Sequence, residues 1–401
     1  MPELTRLANG VRIVSETTAN VGTVALGIWL SNGSRYQTPL ENGYAHFLEH
    51  LLFKATAHHS GAELARRFEM MGGRVNAYTG RELTLFHGYV PSSDWRELLS
   101  HFCGMIRDPR FTENDVRLER DIVLQEMAAV KDAPDEVLEE AAINAIWGPH
   151  EMAWPILGSE HIIEQATETD VRRYLAHVTT GERVLISAVA DIEHQALVEA
   201  GRVFEAWPSA SLPRVTAPAY CQRDIVLREQ YTQVTMQWSM PLPPINDPSH
   251  YALLVGNHLL GGGTSSRLFQ EIREERGLVY DIHSEIDLYK DCGLWTIHTS
   301  CEPDHAAECQ DAVEGSIDRL AFYGPDAQEV QTSRQFVRAN LVLERTNLES
   351  AMERLSRDWI YFGKPRTQAE ILERIDGVRV EDITAALQHC WRQRSFAQLE
   401  P

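Results

Sequence analysis

Hydrophobic and polar positions follow one rhythm twice along the 401-residue chain. Alternating apolar and polar residues predict strands, and apolar residues at every third or fourth position predict helices. In each half, two strands lead through a turn into a helix, and a second short helix, two more strands and a further helix follow. The corresponding segments are residues 10–16, 22–30, 44–56, 73–90 and 92–108 in the first half, and residues 223–229, 231–240, 250–262, 277–300 and 309–324 in the second.

This repeated order predicts the duplication of one α+β unit. Because successive strands lack crossover helices, we expect mixed or largely antiparallel sheets with helices packed on one face. Residues 207–220 include three prolines and few large apolar side chains, which is typical of an interdomain linker. We therefore predict two domains, residues 1–208 and residues 223–401, joined by a linker of residues 209–222.

The overall charge bears on the choice of partner. The chain is 43% hydrophobic and 24% charged, as ordinary soluble proteins are. With 37 basic and 58 acidic side chains, its net charge is −21. Because such a surface repels phosphate backbones and anionic lipids, we expect neither nucleic acid nor a membrane as a partner.

Targeting signals and cysteines indicate the expected compartment. The N-terminus lacks a basic segment followed by an apolar one, and no run approaches the roughly 20 apolar residues of a membrane span. Six scattered cysteines without a CxxC pair are typical of reduced thiols that pack in a core. We expect a cytoplasmic protein, unless a precursor has lost its signal.

Candidate chemistry lies in the first predicted long helix, at the sequence HFLEH of residues 46–50. His46 and His50 are four positions apart, so on a helix both imidazoles can reach one ion, and zinc suits imidazole ligands. Glu49 lies on the same side, where its carboxylate can accept a proton from water. The alternative is an ordinary amphipathic helix with polar residues on one face.

The second half of the chain argues against a purely structural role for this motif. Its matching helix has Leu254 and Asn257 in place of His46 and Glu49, whereas His258 matches His50. The apolar positions persist without the other two polar residues. Packing alone therefore does not require a histidine and a glutamate at those positions.

A catalytic zinc site has three protein ligands and one open position, so a third ligand must come from elsewhere. The acidic segment of residues 112–131 is a candidate, and a capping box of Thr112 and Asp115 is predicted to begin its helix. Within it, Glu119 and Glu126 are seven positions apart and share a helix face. A carboxylate would complete a zinc-hydrolase ligand set, and the open alternative is a solvated helix face.

Together these residues resemble the pitrilysin-type inverzincin metallopeptidases, in the short two-domain form of the mitochondrial processing peptidase. HFLEHLLFK followed by ERDIVLQEM carries the resemblance, with a spacing of 76 positions from His50 to Glu126. The resemblance implies that His46, His50 and Glu126 bind one zinc ion per chain. It also implies that Glu49 is the general base and that Glu119 supports catalysis from beside the metal.

Two further stretches extend the resemblance. NAYTGRELT is similar to the strand that pairs with bound substrate in this family, with Asn76 and Ala77 contributing. GGGTSSRLFQEIREERGLVY is similar to a second-domain segment in which Arg273 and Tyr280 would hold substrate carbonyls near the metal. Apart from the resemblance, the residues also allow a solvated role for Arg273 and a packing role for Tyr280.

The resemblance implies a zinc endopeptidase that cleaves peptides or unfolded polypeptide segments. Long relatives enclose a chamber with four such units and short relatives pair to make it, so we expect a homodimer or a heterodimer with a similar two-domain chain. Pairing would let Arg273 and Tyr280 complete the site of the opposite subunit instead of their own. Two alternatives stay open: a noncatalytic or partner-dependent subunit of a heterodimeric processing peptidase, and a zinc hydrolase or lyase acting on a small molecule.

Overall fold

The computed structural model describes residues 2–19, 21–344 and 346–401. The chain forms two compact units, each with its own sheet. The first unit comprises Met1–Ala129, Trp154–Val215 and Glu344–Pro365, and the second comprises Val130–Ala153, Thr216–Leu343 and Arg366–Pro401. Each half of the sequence thus gives one segment to the unit built mainly by the other half. In these two segments the compact units differ from the sequence-predicted domains 1–208 and 223–401.

The elements follow in chain order. The strands are β1 Glu3–Arg6, β2 Arg12–Thr17, β3 Thr23–Leu30, β4 Arg74–Thr79, β5 Thr84–Pro91, β6 Val184–Ala190, β7 Ile225–Arg228, β8 Val234–Leu242, β9 Ile282–Leu288, β10 Gly293–Cys301 and β11 Ser395–Glu400. The α-helices are α1 Tyr44–Leu52, α2 Gly61–Met70, α3 Trp95–Arg107, α4 Glu113–Lys131, α5 Pro134–Trp147, α6 Glu160–Gln165, α7 Glu168–Val178, α8 His194–Gly201, α9 His250–Gly261, α10 Ala306–Tyr323, α11 Ala327–Glu344, α12 Leu348–Arg357, α13 Gln368–Asp376 and α14 Val380–Trp391. Short 3₁₀ turns cover Ser34–Tyr36, Glu151–Ala153, Gly181–Arg183, Arg202–Phe204 and Pro303–His305, and short π-helices cover Phe269–Glu275 and Asp358–Phe362.

The first unit has a six-stranded sheet in the order β1-β2-β6-β3-β5-β4. Its neighbouring strands are antiparallel except for β2 and β6, which run parallel. Strand β4 lies at the edge of this order and, among the described residues, pairs with β5 alone. Helix α1 packs against β4 and β5, so the edge strand and the HFLEH residues lie together in one unit.

Both faces of the first sheet are buried at its central strands β3, β5 and β6. Alternate residues of β3 point to opposite faces, so that Leu26 and Ile28 join the main core whereas Ala25 and Trp29 join a second cluster. Helix α12 covers that second face with Leu348, Ala351, Met352 and Leu355. Helices on one face were expected, and α12 adds cover on the other because an apolar sheet face exposed to water is unfavourable.

The second unit repeats this arrangement with a five-stranded sheet in the order β7-β11-β8-β10-β9, in which only β7 and β11 are parallel. Position by position, this order and its strand directions match β2-β6-β3-β5-β4 of the first unit. Helix α5, from the first half of the sequence, packs on β8 and β11. Its Leu138 and Ala142 lie in one buried cluster with Ala397 and Leu399 of β11.

The predicted α+β class with mixed, largely antiparallel sheets is confirmed. Residues 208–224, which contain all of the predicted linker of residues 209–222, have no regular secondary structure. Strands β6 and β11 were not predicted, although each supplies the parallel pairing of its sheet. Among the described residues, no helix has the length and apolar character to cross a membrane.

Candidate metal centre and active site

Helix α1 presents the HFLEH residues on one side and anchors itself with the other. It begins after Gly43, whose φ of 102° lies in the left-handed region that glycine adopts without strain. Its buried side consists of Tyr44, Ala45, Phe47, Leu48, Leu51 and Leu52. His46, Glu49 and His50 are only partly buried, as required of side chains that meet a ligand.

Helix α4 brings the acidic residues to α1. The predicted capping box is present: the Thr112 amide donates to Asp115 Oδ2 at 2.7 Å, and the Asp115 amide donates to Thr112 Oγ1 at 3.3 Å. One turn after another, Val116, Glu119 and Val123 are buried along the inner face of the helix. Glu126 lies further along, with its side chain 41% exposed.

Three predicted ligands converge. The Nε2 atoms of His46 and His50 are 3.3 Å apart, and Glu126 Oε2 lies 3.8 Å from the first and 3.7 Å from the second. Two zinc bonds of about 2.0–2.1 Å at a tetrahedral angle place their donor atoms about 3.3–3.4 Å apart. The triangle therefore fits a zinc ion within a few tenths of an ångström. Among the described residues, this is the one group of three or more His, Cys, Asp or Glu whose atoms all lie within 4.8 Å.

The two imidazoles have different electrostatic surroundings. Burial lowers the pKa of His46 to about 4, and the neighbouring His50 acts in the same direction. For His50, burial would lower the pKa, but the hydrogen bond to Glu119 and the charges of Glu126 and Glu119 raise it. His46 is therefore neutral at pH 7, the form in which an imidazole nitrogen can bind a metal.

Glu119 orients His50 from beside the triangle. His50 Nδ1 donates to Glu119 Oε2 at 3.0 Å, which leaves Nε2 of a neutral imidazole as the free acceptor. The Lys54 ammonium forms an ion pair with Oε1 of the same carboxylate, which is 5% exposed. Burial would raise the pKa of Glu119, but its hydrogen bonds with His50 and Lys54 outweigh burial and lower it. The carboxylate is thus held ionised by two partners.

Glu49 stands outside the triangle and has a separate partner. Its Oε2 accepts a hydrogen bond of 2.5 Å from Oγ1 of Thr79, the last residue of β4. Burial raises the pKa of Glu49, although the hydrogen bond from Thr79 acts in the opposite direction. A carboxylate whose pKa is raised towards neutrality binds a proton more readily, which suits a general base.

The predicted substrate residues of the first unit lie on its edge strand. Asn76 is exposed and Ala77 is half-buried, both on β4. Because β5 is the one strand that pairs with β4 in the described part of the chain, the other edge of β4 has backbone groups available to an added strand. The predicted role of these two residues stays a prediction.

Arg273 and Tyr280 belong to the second unit, whereas the three metal ligands belong to the first. The structure brings the two together: the Arg273 guanidinium lies 5.2 Å from the centroid of the Tyr280 ring. Tyr280 is 85% exposed and precedes β9, so it does not pack in the sheet. This exposure removes the packing alternative and leaves the ring available to a ligand.

Lys54 and Thr79 are the contacts that the sequence did not predict. Lys54 is four positions after His50, a spacing that places two residues on the same side of a helix. The helix itself ends at Leu52, before Lys54. Thr79 is 30 positions from Glu49, so only the pairing of helix and strand could reveal it.

Comparison with known proteins assigns the family. Residues 12–160 match Insulinase (Peptidase family M16), and residues 165–336 match Peptidase M16 inactive domain. The chain belongs to peptidase family M16. The family resemblance inferred from the motifs is thereby confirmed. Residues 165–336, which match the inactive domain, contain none of the three residues of the metal triangle.

Relatives of the M16 chain match over nearly all of their length. The uncharacterized zinc protease YmxG of Bacillus subtilis (strain 168) is 30% identical over 376 residues, which are 94% of this chain and 92% of the relative. An uncharacterized zinc protease of Mycobacterium tuberculosis (strain ATCC 25618 / H37Rv) is 30% identical over 400 residues, 98% of this chain and 91% of the relative. In fold, the crystal structure of a protease from Helicobacter pylori matches all of both chains, with a TM-score of 0.92 at 19% identity.

Proposed function

We propose that this M16 chain is a zinc-dependent endopeptidase that cleaves peptides or unfolded polypeptide segments. The observation that carries the proposal is the triangle of His46, His50 and Glu126. The Glu49 carboxylate, on the same helix as the two histidines, is not one of its three donors. Three protein donors and a nearby carboxylate are the composition of a hydrolytic zinc site rather than of a closed structural one. The relatives in Bacillus subtilis and Mycobacterium tuberculosis are named as zinc proteases, which supports the same reaction.

In this proposal each residue has one task. A zinc ion, when bound, supplies Lewis acidity that activates water and polarises the scissile carbonyl. His46, His50 and Glu126 hold the ion, and Glu119 keeps His50 in the tautomer that has a free Nε2. Glu49 takes the proton from the attacking water and passes it to the leaving nitrogen.

The peptide would bind as an added strand on the free edge of β4, beside Asn76 and Ala77. Backbone hydrogen bonds would then give affinity for extended chains with little demand on sequence, which favours unfolded segments over folded proteins. Arg273 and Tyr280 would hold carbonyl oxygens of the substrate. These two residues would come either from the chain that binds the metal or from a second chain.

A fluorogenic peptide assay with and without chelator tests the proposal. We expect cleavage by the zinc-loaded chain, loss of cleavage with EDTA and recovery when zinc is added back. A noncatalytic subunit would bind zinc without cleaving peptides alone. A small-molecule hydrolase would leave every peptide of a mixed library intact. Either of these two results would contradict the proposed endopeptidase.

We further propose that two such chains pair around a chamber, as a homodimer or with a similar two-domain partner. The exposed Tyr280 beside Arg273 supports this proposal, since these side chains are available to a ligand outside their own unit. In sedimentation velocity we expect dimers of the chain alone if it is a homodimer, and dimers only after the partner is added if it pairs with a similar chain. In both cases the activity per chain should fall when the protein is diluted below the dimer dissociation constant. A fully active monomer would contradict pairing while leaving the zinc chemistry intact.

A further inference from the structure

The hydroxyl of Thr79 has a defined direction. Thr84 Oγ1 lies 3.2 Å from Thr79 Oγ1, so the two hydroxyls could share a proton. However, Thr84 donates its single proton to the carbonyl oxygen of Asn32 at 2.8 Å. The contact between Thr79 Oγ1 and Glu49 Oε2 is shorter, at 2.5 Å, and there the hydroxyl donates because an ionised carboxylate can only accept. Thr79 thus donates a hydrogen bond to one of the two carboxylate oxygens of Glu49, Oε2.

This bond leaves the two oxygens of Glu49 unequal. Oε2 is occupied by Thr79, whereas no hydrogen bond within the described residues engages Oε1. A glutamate side chain has several rotatable bonds, and a single fixed oxygen removes most of its freedom. The free oxygen is then presented in one direction from α1.

Thr79 also joins two parts of the site. Glu49 belongs to α1, which carries the two histidines, whereas Thr79 ends β4, the edge strand. Residues 75, 77 and 79 alternate with 74, 76 and 78 along this strand, so Thr79 faces the same side as Ala77. A movement of β4 would therefore move the carboxylate as well.

We propose that Thr79 is a positioning residue that fixes Glu49 with Oε1 free to receive the proton and that ties this carboxylate to the strand that holds the peptide. The inference rests on the proposed endopeptidase function. A proton acceptor must lie within hydrogen-bond reach of the water it activates, and a misplacement of about 1 Å costs about 100-fold in rate. Among the described residues, the hydrogen bonds of Thr79 go to Glu49 and Thr84 and to none of the three metal ligands, so we expect its effect on the base and not on the ion.

The test compares Thr79→Val with Thr79→Ser. Valine has the shape of threonine but no hydroxyl, and we expect kcat to fall about 10- to 100-fold with KM within about twofold of the parent. Serine keeps the donor, so we expect it to recover most of kcat. Thr23→Val is the matched control, since Thr23 donates to Tyr89 on the same sheet without contacting Glu49. It should leave kcat and KM unchanged.

Two readouts do not depend on catalysis. Zinc content after dialysis should equal one ion per chain in every variant. Fluorescence anisotropy of a labelled peptide with metal-free protein should give the same dissociation constant for the parent and Thr79→Val, because the backbone of β4 is intact. These measurements separate a misplaced base from a damaged metal site or a damaged peptide strand.

Each outcome decides the proposal. Unchanged kcat in Thr79→Val, equal losses in the valine and serine variants, loss of zinc, or weaker peptide binding would each overturn the positioning role. If the parent cleaves peptides in a zinc-dependent way and Thr79→Val does so equally well, only the role of Thr79 fails. If the zinc-loaded parent cleaves no peptide, the proposed function fails and the role of Thr79 fails with it.

Discussion

Glu49→Gln is expected to bind zinc as the parent chain does and to lose peptide cleavage by about 100- to 10,000-fold in kcat, the range that general base catalysis supplies. Glutamine matches glutamate in shape, and its amide oxygen can still accept the hydrogen bond from Thr79. Its NH₂ group then occupies the place of Oε1 and cannot take a proton. The substitution therefore removes the chemistry of the base while keeping its geometry.

The measurement pairs turnover of a fluorogenic peptide with metal analysis of the dialysed protein. Glu69→Gln is a suitable control because this substitution makes the same change of charge outside the site. Glu69 is exposed on α2. Its turnover should equal that of the parent. Turnover near the parent level in Glu49→Gln would exclude Glu49 as the base, and a parallel loss of zinc would show that Glu49 belongs to the ligand set.

Local spacing explains why much of the site could be predicted. Two histidines four apart on a helix and two glutamates seven apart on another define which side chains share a face before any tertiary structure is known. The triangle of His46, His50 and Glu126 agrees with this reading. The choice of Glu126 over Glu119 as the ligand rests on the family resemblance. In the structure, Glu126 Oε2 lies within 3.8 Å of both Nε2 atoms, whereas Glu119 Oε2 lies 3.0 Å from His50 Nδ1.

Contacts between distant segments explain what could not be predicted. Helix α12 belongs to the first unit although it follows the second sheet's strands β7 to β10 in sequence, and α5 shows the reverse exchange. The sequence of an amphipathic helix shows that the helix has an apolar face, but it does not show against which sheet that face packs. Strand β6 is a short apolar run, VLISAVA, that alone cannot be distinguished from a buried helical segment. The contact between Thr79 and Glu49 could not be predicted either, because it joins a strand and a helix that are 30 positions apart in the sequence.

Glu126→Ala tests the metal centre with a large expected effect on binding. Loss of an outer-shell partner costs about 10- to 100-fold in metal affinity, and loss of a direct ligand should cost more. The remaining two imidazoles would hold zinc weakly, so we expect less than one ion per chain after dialysis and no peptide cleavage. Because the Glu126 side chain is 41% exposed, its removal should change the free energy of unfolding of the metal-free protein by about 0.5 kcal/mol or less.

Zinc content is measured by metal analysis, and zinc binding is measured by the rise in Tm on adding the ion. A ligand that binds only the folded state stabilises it, so the rise should be large in the parent and small in Glu126→Ala. Asp121→Ala on the same helix is the control, since the one ion pair of Asp121 within the described part of the chain is an exposed pair with Arg117 at 3.8 Å. It should keep full zinc content and the full rise in Tm. If Glu126→Ala also keeps both, the third ligand lies elsewhere and the triangle is not the metal centre.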